Sequence, residues 1–284
     1  MNKKNTVLIT GANSLVAPYL IDELQNIYQV ITTSKTNNKI CCDLTNRDDV
    51  RNLIEDTNPD IIIHAAGLTD VELCEQKPDL AFLVNAMSVF NLVTSISKSS
   101  RFIYISTDQV YAGTHSLNHE DCVSPVNSYG RTKLGGELVA LSHKNVCILR
   151  TNFFGKSRTL NKKTITDFFI DAFENQRKIN LYSDLYFSPL HLSTLAEIVA
   201  KISISDQTGI YNIGSRDGFS KAVFARKIAH FLDLNDNNAT NISSDEISGR
   251  TIRPKDLRMD VGKFEKAFKI TMPTLEEELE KLVN

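Results

Sequence analysis

The sequence contains no tryptophan. Ring stacking on a ligand therefore falls to other aromatics, without an indole N–H. Long hydrophobic runs are also missing, and no apolar stretch approaches the roughly 20 residues that cross a bilayer. The start leads directly into the short run Val7-Leu8-Ile9-Thr10, too brief for the core of a secretion signal. A cytoplasmic protein is expected. No charge of one sign dominates: 32 Lys+Arg stand against 34 Asp+Glu, a net −2. That balance gives no broad attraction to nucleic acid or to an anionic membrane. The five cysteines, Cys41, Cys42, Cys74, Cys122 and Cys147, are odd in number and lack metal-type or redox-type spacing. Free thiols in a reducing compartment are expected. No His/Asp/Glu grouping suggests a metal site.

What is present is an ordinary globular composition, 284 residues with 42% hydrophobic and 23% charged. That length is enough for one large or two small domains. The first half alternates strand and helix patterns. Strands are expected at 6–10, 28–33, 61–63, 101–106 and 146–151, and helices at 18–25, 47–56, 80–98 and 128–142. Continuous apolar runs between helical patterns indicate a parallel sheet covered on both faces. The expected fold class is α/β, a doubly wound (Rossmann) sheet over residues 1–155. Residues 156–284 are expected to form a smaller, mostly helical substrate-binding region, partly interleaved with the sheet domain. Helical patterns appear there at 165–175, 193–203, 221–233 and 275–283, with a short strand at 209–214. The Asn/Asp/Ser-rich segment 235–249 reads as a solvent loop, of a kind that can also cover a ligand.

The first strand runs into Gly11-Ala12-Asn13-Ser14-Leu15-Val16-Ala17, where a dinucleotide-binding fold places its phosphate loop. Gly11 keeps the first glycine of that fingerprint, Ser14 takes the second place and Ala17 the third. The second glycine normally lets backbone approach the pyrophosphate, so Ser14 is the notable departure. Its hydroxyl offers a donor instead. The second strand ends in Thr32-Thr33-Ser34-Lys35. No acid stands there to hold a ribose 2′-hydroxyl, while Ser34 and Lys35 suit a 2′-phosphate. NADPH is expected over NADH.

Tyr129 and Lys133 lie one helical turn apart, hence on one face. There an ammonium can lower the phenol's pKa and help it move a proton. Ser106-Thr107-Asp108 end the preceding strand pattern. Strand-end hydroxyls facing a Tyr/Lys helix suit the grip of a carbonyl oxygen.

These blocks together resemble the extended short-chain dehydrogenases/reductases, and most closely the dTDP-4-dehydrorhamnose reductase family. The likeness runs through His64-Ala65-Ala66-Gly67, Ser106 to Tyr111, and Ser128-Tyr129-Gly130-Arg131-Thr132-Lys133. It continues through Gly136-Glu137, Leu149-Arg150-Thr151 and Arg253-Pro254. The resemblance implies that Tyr129 protonates the substrate oxygen. Lys133 would hold the nicotinamide ribose, and Thr107, helped by Ser106 or Asp108, would bond the reacting oxygen. It implies an adenine contact at Asp43 and Leu44, and a close cofactor passage over Ala65, Ala66 and Gly67, with Asn85 in support. Phe153 stands where the family carries a tryptophan against the sugar. The implied substrate is a nucleotide-activated 4-keto-6-deoxy hexose, and the implied product serves polysaccharide synthesis.

Other readings carry other signatures. A 4,6-dehydratase would need an acid where Gln109 stands, because an amide takes no proton at neutral pH. A nucleotide-sugar epimerase is disfavoured by the missing acid after the second strand. A non-catalytic NADP-binding subunit, as in the regulatory subunit of methionine adenosyltransferase, is the alternative from another class. The apolar stripes on 80–98 and 128–142 suit a homodimer or burial within one subunit.

Overall fold

The computed structural model describes residues 5–114 and 117–283. Six strands form in the first half: β1 Thr6–Thr10, β2 Gln29–Ser34, β3 Ile40–Cys41, β4 Ile61–His64, β5 Arg101–Ile105 and β6 Val146–Arg150. Three short strands follow, β7 Phe153–Phe154, β8 Ile179–Tyr182 and β9 Tyr186–Phe187. Then come β10 Leu190–His191 and β11 Gly209–Asn212. The main sheet has the order β11-β6-β5-β4-β1-β2-β3, with every neighbour parallel. Every residue of β1, β4, β5 and β6 is buried, as parallel strands covered on both faces require.

Helices α1 Ala17–Leu24 and α2 Arg47–Thr57 are followed by α3 Val71–Gln76, α4 Pro78–Phe82 and α5 Ser88–Ser95. α6 Ser128–Ala140, α7 Ile165–Glu174, α8 Leu192–Ser203 and α9 Lys221–Phe231 come after them. One apolar cluster joins Val7, Ile63 and Ile103 to Leu20 of α1 and Leu195 of α8. A second, on the other face, joins Leu8, Ile62 and Phe102 to Leu53 of α2 and Leu92 of α5. A third gathers Phe154, Phe169, Phe187 and Phe224. The chain beyond 155 thus returns to the sheet through α8 and β11. Strand order reverses between β1 and β4. In such folds that switch point opens the ligand crevice at the carboxyl ends of the strands.

Two expectations are corrected. The helix expected over 80–98 is not one α-helix. Its α4 and α5 segments flank a π turn at Leu83–Met87, and it stops at Ser95, where Ile96 is extended. The wider turn carries buried Asn85. The Asn85 side chain accepts from Leu68 N (2.8 Å) and donates to Leu68 O (3.0 Å) and Thr132 Oγ1 (3.1 Å). A π turn inserts a residue and re-aims side chains in this way. The segment 235–249 is also more than loop. Ala239–Ile242 pairs parallel with β8, and Ser243 and Ser244 bind the Asp184 carboxylate.

Candidate active site

Gly11 follows β1 with φ +76°, and a Cβ there would stand 2.7 Å from Ala66 N and 2.8 Å from the Ala65 carbonyl carbon. Glycine is therefore required twice, for the conformation and for the contact between the β1 and β4 loops. Ser14 N donates to Gly11 O at 2.7 Å to close the turn into α1. The Ser14 Oγ is buried with no partner among the described residues. An orphaned hydroxyl beside a glycine-tight loop at a strand-to-helix turn fits a phosphate group. Asn13 Nδ2 donates to Ser34 Oγ (3.2 Å) and Thr36 O (2.8 Å), which ties the loop to the end of β2.

A cavity of about 300 Å³ lies at this crevice. Ser14, Leu15 and Val16 line one side, Ala65, Ala66 and Gly67 the floor, and Ser106, Tyr129, Lys133 and Phe153 the far side. A second hollow joins it at Ala66 and is lined by Gly11, Ser34, Lys35, Asp43 and Leu44, with Leu83 and Val84. Lys35 Nζ pairs with Asp43 Oδ2 at 2.6 Å, so a carboxylate does stand near Lys35, supplied from beyond β3. The lysine's hydrogen bond is the main reason that the Asp43 carboxyl lies below its ordinary value.

Local chemistry sets the Tyr129 helix in place. The Asn127 side chain caps α6 by accepting from Gly130 N at 2.9 Å. A Cβ on Gly130 would come within 2.2 Å of Gln109 O, so only glycine lets α6 touch the turn at 108–110. Lys133 Nζ donates to Ile105 O at 2.8 Å and lies 4.1 Å from the Tyr104 ring centroid. Burial pulls its pKa down to about 7, with Glu137 opposing. Behind it, the His64 ring stacks on Tyr104 with centroids 5.4 Å apart. Burial first, then Lys133, push His64 down to about 3, so the imidazole is neutral. Its Nδ1 meets Thr10 Oγ1 at 2.7 Å.

The expectation that Lys133 depresses the Tyr129 pKa is not met in this arrangement. The phenol lies above its ordinary value because it is buried. The opposing influence is a hydrogen bond with Thr107, while Asp108 and Cys74 raise it further. The ammonium is engaged by Ile105 and Tyr104 instead. Thr107 Oγ1 accepts from Gln109 N (3.1 Å) and donates to Asp108 Oδ1 (3.1 Å). Asn152 Nδ2 donates to Asp108 Oδ2 at 2.8 Å. Burial raises the Asp108 carboxyl to about 6 against those bonds and the Lys221 ammonium. Ser106 Oγ donates to the buried Glu137 carboxylate. Glu137 pairs with Arg150 at 2.7 Å.

Several residues at the site were not singled out in the sequence. Asn152 follows Leu149-Arg150-Thr151 closely enough to have been considered. Lys221 opens α9 and lines two cavities, one of about 530 Å³ with Phe168, Arg177, Tyr182 and Arg250, the other with Arg253 and Lys255. Their sequence signals were the Arg253-Pro254 pair of the resemblance and the cation-rich run Arg250–Lys255 after the Asn/Ser-rich segment. Among the described residues no group of three or more His, Cys, Asp or Glu is placed to hold a metal ion.

Comparison with known proteins gives a consistent picture. A family model described as the RmlD substrate binding domain matches residues 5–284. The chain is 28% identical to a dTDP-4-dehydrorhamnose reductase of Sinorhizobium fredii, over 97% of this chain and 95% of that protein. It is 29% identical to the methionine adenosyltransferase 2 subunit beta of Xenopus laevis, over 91% of this chain and 81% of that protein. The crystal structure of a dTDP-4-dehydrorhamnose reductase from Bacillus anthracis, in complex with NADP, superposes with a TM-score of 0.91. Identity to it is 27%, and 98% of each chain is covered. By fold, site and family match, this chain belongs to the family of the RmlD substrate binding domain.

Proposed function

We propose that this protein is an NADPH-dependent reductase of the 4-keto group of a nucleotide-activated 6-deoxy hexose, in the manner of a dTDP-4-dehydrorhamnose reductase. One observation carries the reading: Tyr129, Lys133 and Ser106 face the phosphate loop across a single cavity. NADPH, when bound, supplies the hydride. Gly11, Asn13, Ser14, Leu15 and Val16 would hold its pyrophosphate, with Ala65, Ala66 and Gly67 beneath. Ser34, Lys35, Asp43 and Leu44 would hold the adenosine end. Lys133 holds the nicotinamide ribose through its ammonium. Tyr129 gives its proton to the carbonyl oxygen and Thr107 positions that oxygen, beside Ser106, whose own proton is held by Glu137. A high phenol pKa suits a donor that must keep its proton until the alkoxide forms. Phe153 packs on the sugar, and residues 156–284 carry the nucleotide end, where Lys221, Arg177 and Arg250 supply positive charge. A homodimer through α5 and α6 belongs to this reading, since Phe90 and Leu138 are exposed there. A monomer by sedimentation at micromolar concentration would remove that part. A cytoplasmic site is also part of it, to be checked by cell fractionation.

The test follows NADPH absorbance with dTDP-4-dehydrorhamnose as substrate. Turnover is expected, and Tyr129→Phe should lower kcat by roughly 10²–10⁴ while NADPH still binds. The likeness to the methionine adenosyltransferase subunit supports a second reading, a non-catalytic NADP-binding subunit. NADPH binding without turnover on a panel of 4-keto sugar nucleotides would favour it.

A further inference from the structure

Thr107 has one hydroxyl proton and two close partners, the Asp108 carboxylate and the Gln109 N–H. A hydroxyl donates once and accepts twice. In the structure the proton goes to Asp108 Oδ1 at 3.1 Å, and Gln109 N–H occupies one lone pair at 3.1 Å. So with Asp108 ionised, the Thr107 proton is held by the carboxylate and points away from the reacting oxygen.

Asn152 decides what happens when Asp108 takes up a proton. Its amide N–H holds Oδ2 at 2.8 Å, so the proton arrives on Oδ1, the atom that faces Thr107. Oδ1–H then donates to Thr107 Oγ1. Both Thr107 lone pairs are now filled, by Asp108 and by Gln109. The Thr107 proton must turn outward. One proton, taken up by Asp108, redirects the Thr107 hydroxyl.

We propose that Asp108 is a positioning residue that sets hydroxyl direction: protonated, it aims the Thr107 proton at the reacting oxygen; ionised, it draws that proton away. This rests on the reductase reading above. Asp108 is 1% exposed. The charged groups facing it are Lys221 at the start of α9, which stabilises the carboxylate, and behind that lysine Arg250 and Arg253. Tyr129 faces it from α6. Burial outweighs these and holds the carboxyl near 6. Lys133, near 7, is the other group that titrates in this range, so the test must separate the two.

Asp108→Asn does so. The Asn oxygen will face the Asn152 amide, leaving its own NH₂ to donate permanently to Thr107. In the wild type, kcat/KM for dTDP-4-dehydrorhamnose should fall as pH rises through the Asp108 titration, by roughly tenfold per unit. In Asp108→Asn that decline should vanish, leaving only any decline due to Lys133. A variant that is merely slower, with the wild-type profile, overturns the proposal. An independent readout needs no substrate: the infrared carboxylic-acid band of the NADP-bound protein, assigned by its loss in Asp108→Asn or Asp108→Ala. It should titrate above the ordinary aspartate range and shift in Thr107→Val. A carboxyl ionised in the ordinary range, or one indifferent to Thr107→Val, overturns the switch. Failure of the wild type to turn over any 4-keto sugar nucleotide, with the band behaving as expected, overturns the reductase reading and leaves the switch standing.

Discussion

Single residues at this site hold charge and polarity at a cost to stability. Asp108 titrates near 6 when folded, against an ordinary value of 3.8. The folded state therefore binds the proton more tightly. Below about pH 4 both states are protonated and the group contributes nothing; as pH rises through about 6 the folded state loses stability. Asp108→Asn removes that penalty. It is expected to melt higher than wild type at pH 7, with the gap closing below about pH 4. A melting series across pH checks it, and equal melting temperatures at pH 7 would refute it. Ser14 is the opposite case, a hydroxyl buried without a partner among the described residues. If phosphate is its partner, Ser14→Ala should weaken NADPH binding about tenfold, the value of one hydrogen bond to a charged group. Titration of NADPH fluorescence measures this. Unchanged affinity would mean that Ser14 does not donate to the pyrophosphate.

Elements carry these residues to their places, and here the sequence was legible where burial is simple. The strands β1, β4, β5 and β6 are continuous apolar runs, and their pattern located them within a residue or two. The Tyr129/Lys133 spacing and the Gly11 loop likewise placed the site's two walls. Legibility failed where a side chain reaches across the fold. The π turn at Leu83–Met87 exists to aim Asn85 at Leu68 and Thr132, and helical periodicity carries no sign of that demand. The strand at Ala239–Ile242 is polar, and its existence depends on β8, sixty residues earlier in the chain. Asn85 is the element-scale test. Asn85→Ala leaves the Leu68 N–H and C=O without their partner, at a cost of about 1–3 kcal/mol. Urea unfolding should show that loss. Asn85→Asp, which keeps the acceptor for Leu68 N but loses the donors, should also destabilise.

At the scale of the whole molecule, one buried network joins the sheet to the substrate region. Arg150, 1% exposed at the end of β6, bonds both oxygens of Glu137 on α6, the Tyr111 hydroxyl (2.9 Å) and Glu120 O (2.6 Å). Tyr111 donates onward to Asn212 Oδ1 (2.6 Å) on β11. Asn212 Nδ2 then donates to Asn118 O and Asp260 O. Glu137 in turn receives the Ser106 hydroxyl and steadies the charge of Lys133. The same ion pair therefore supports the Ser106/Lys133 wall of the cavity and fastens the late chain to the sheet. Desolvating such a pair costs as much as its attraction returns, but removing one partner strands the other charge, at about 3–5 kcal/mol. Arg150→Met is expected to lose that much stability and to weaken NADPH binding as Glu137 shifts. The double variant Arg150→Met/Glu137→Leu removes both charges and should recover a large part of the stability without recovering activity. Urea midpoints and NADPH turnover for the three proteins test this directly. A double variant no more stable than Arg150→Met would mean that packing, rather than a stranded Glu137 charge, sets the cost.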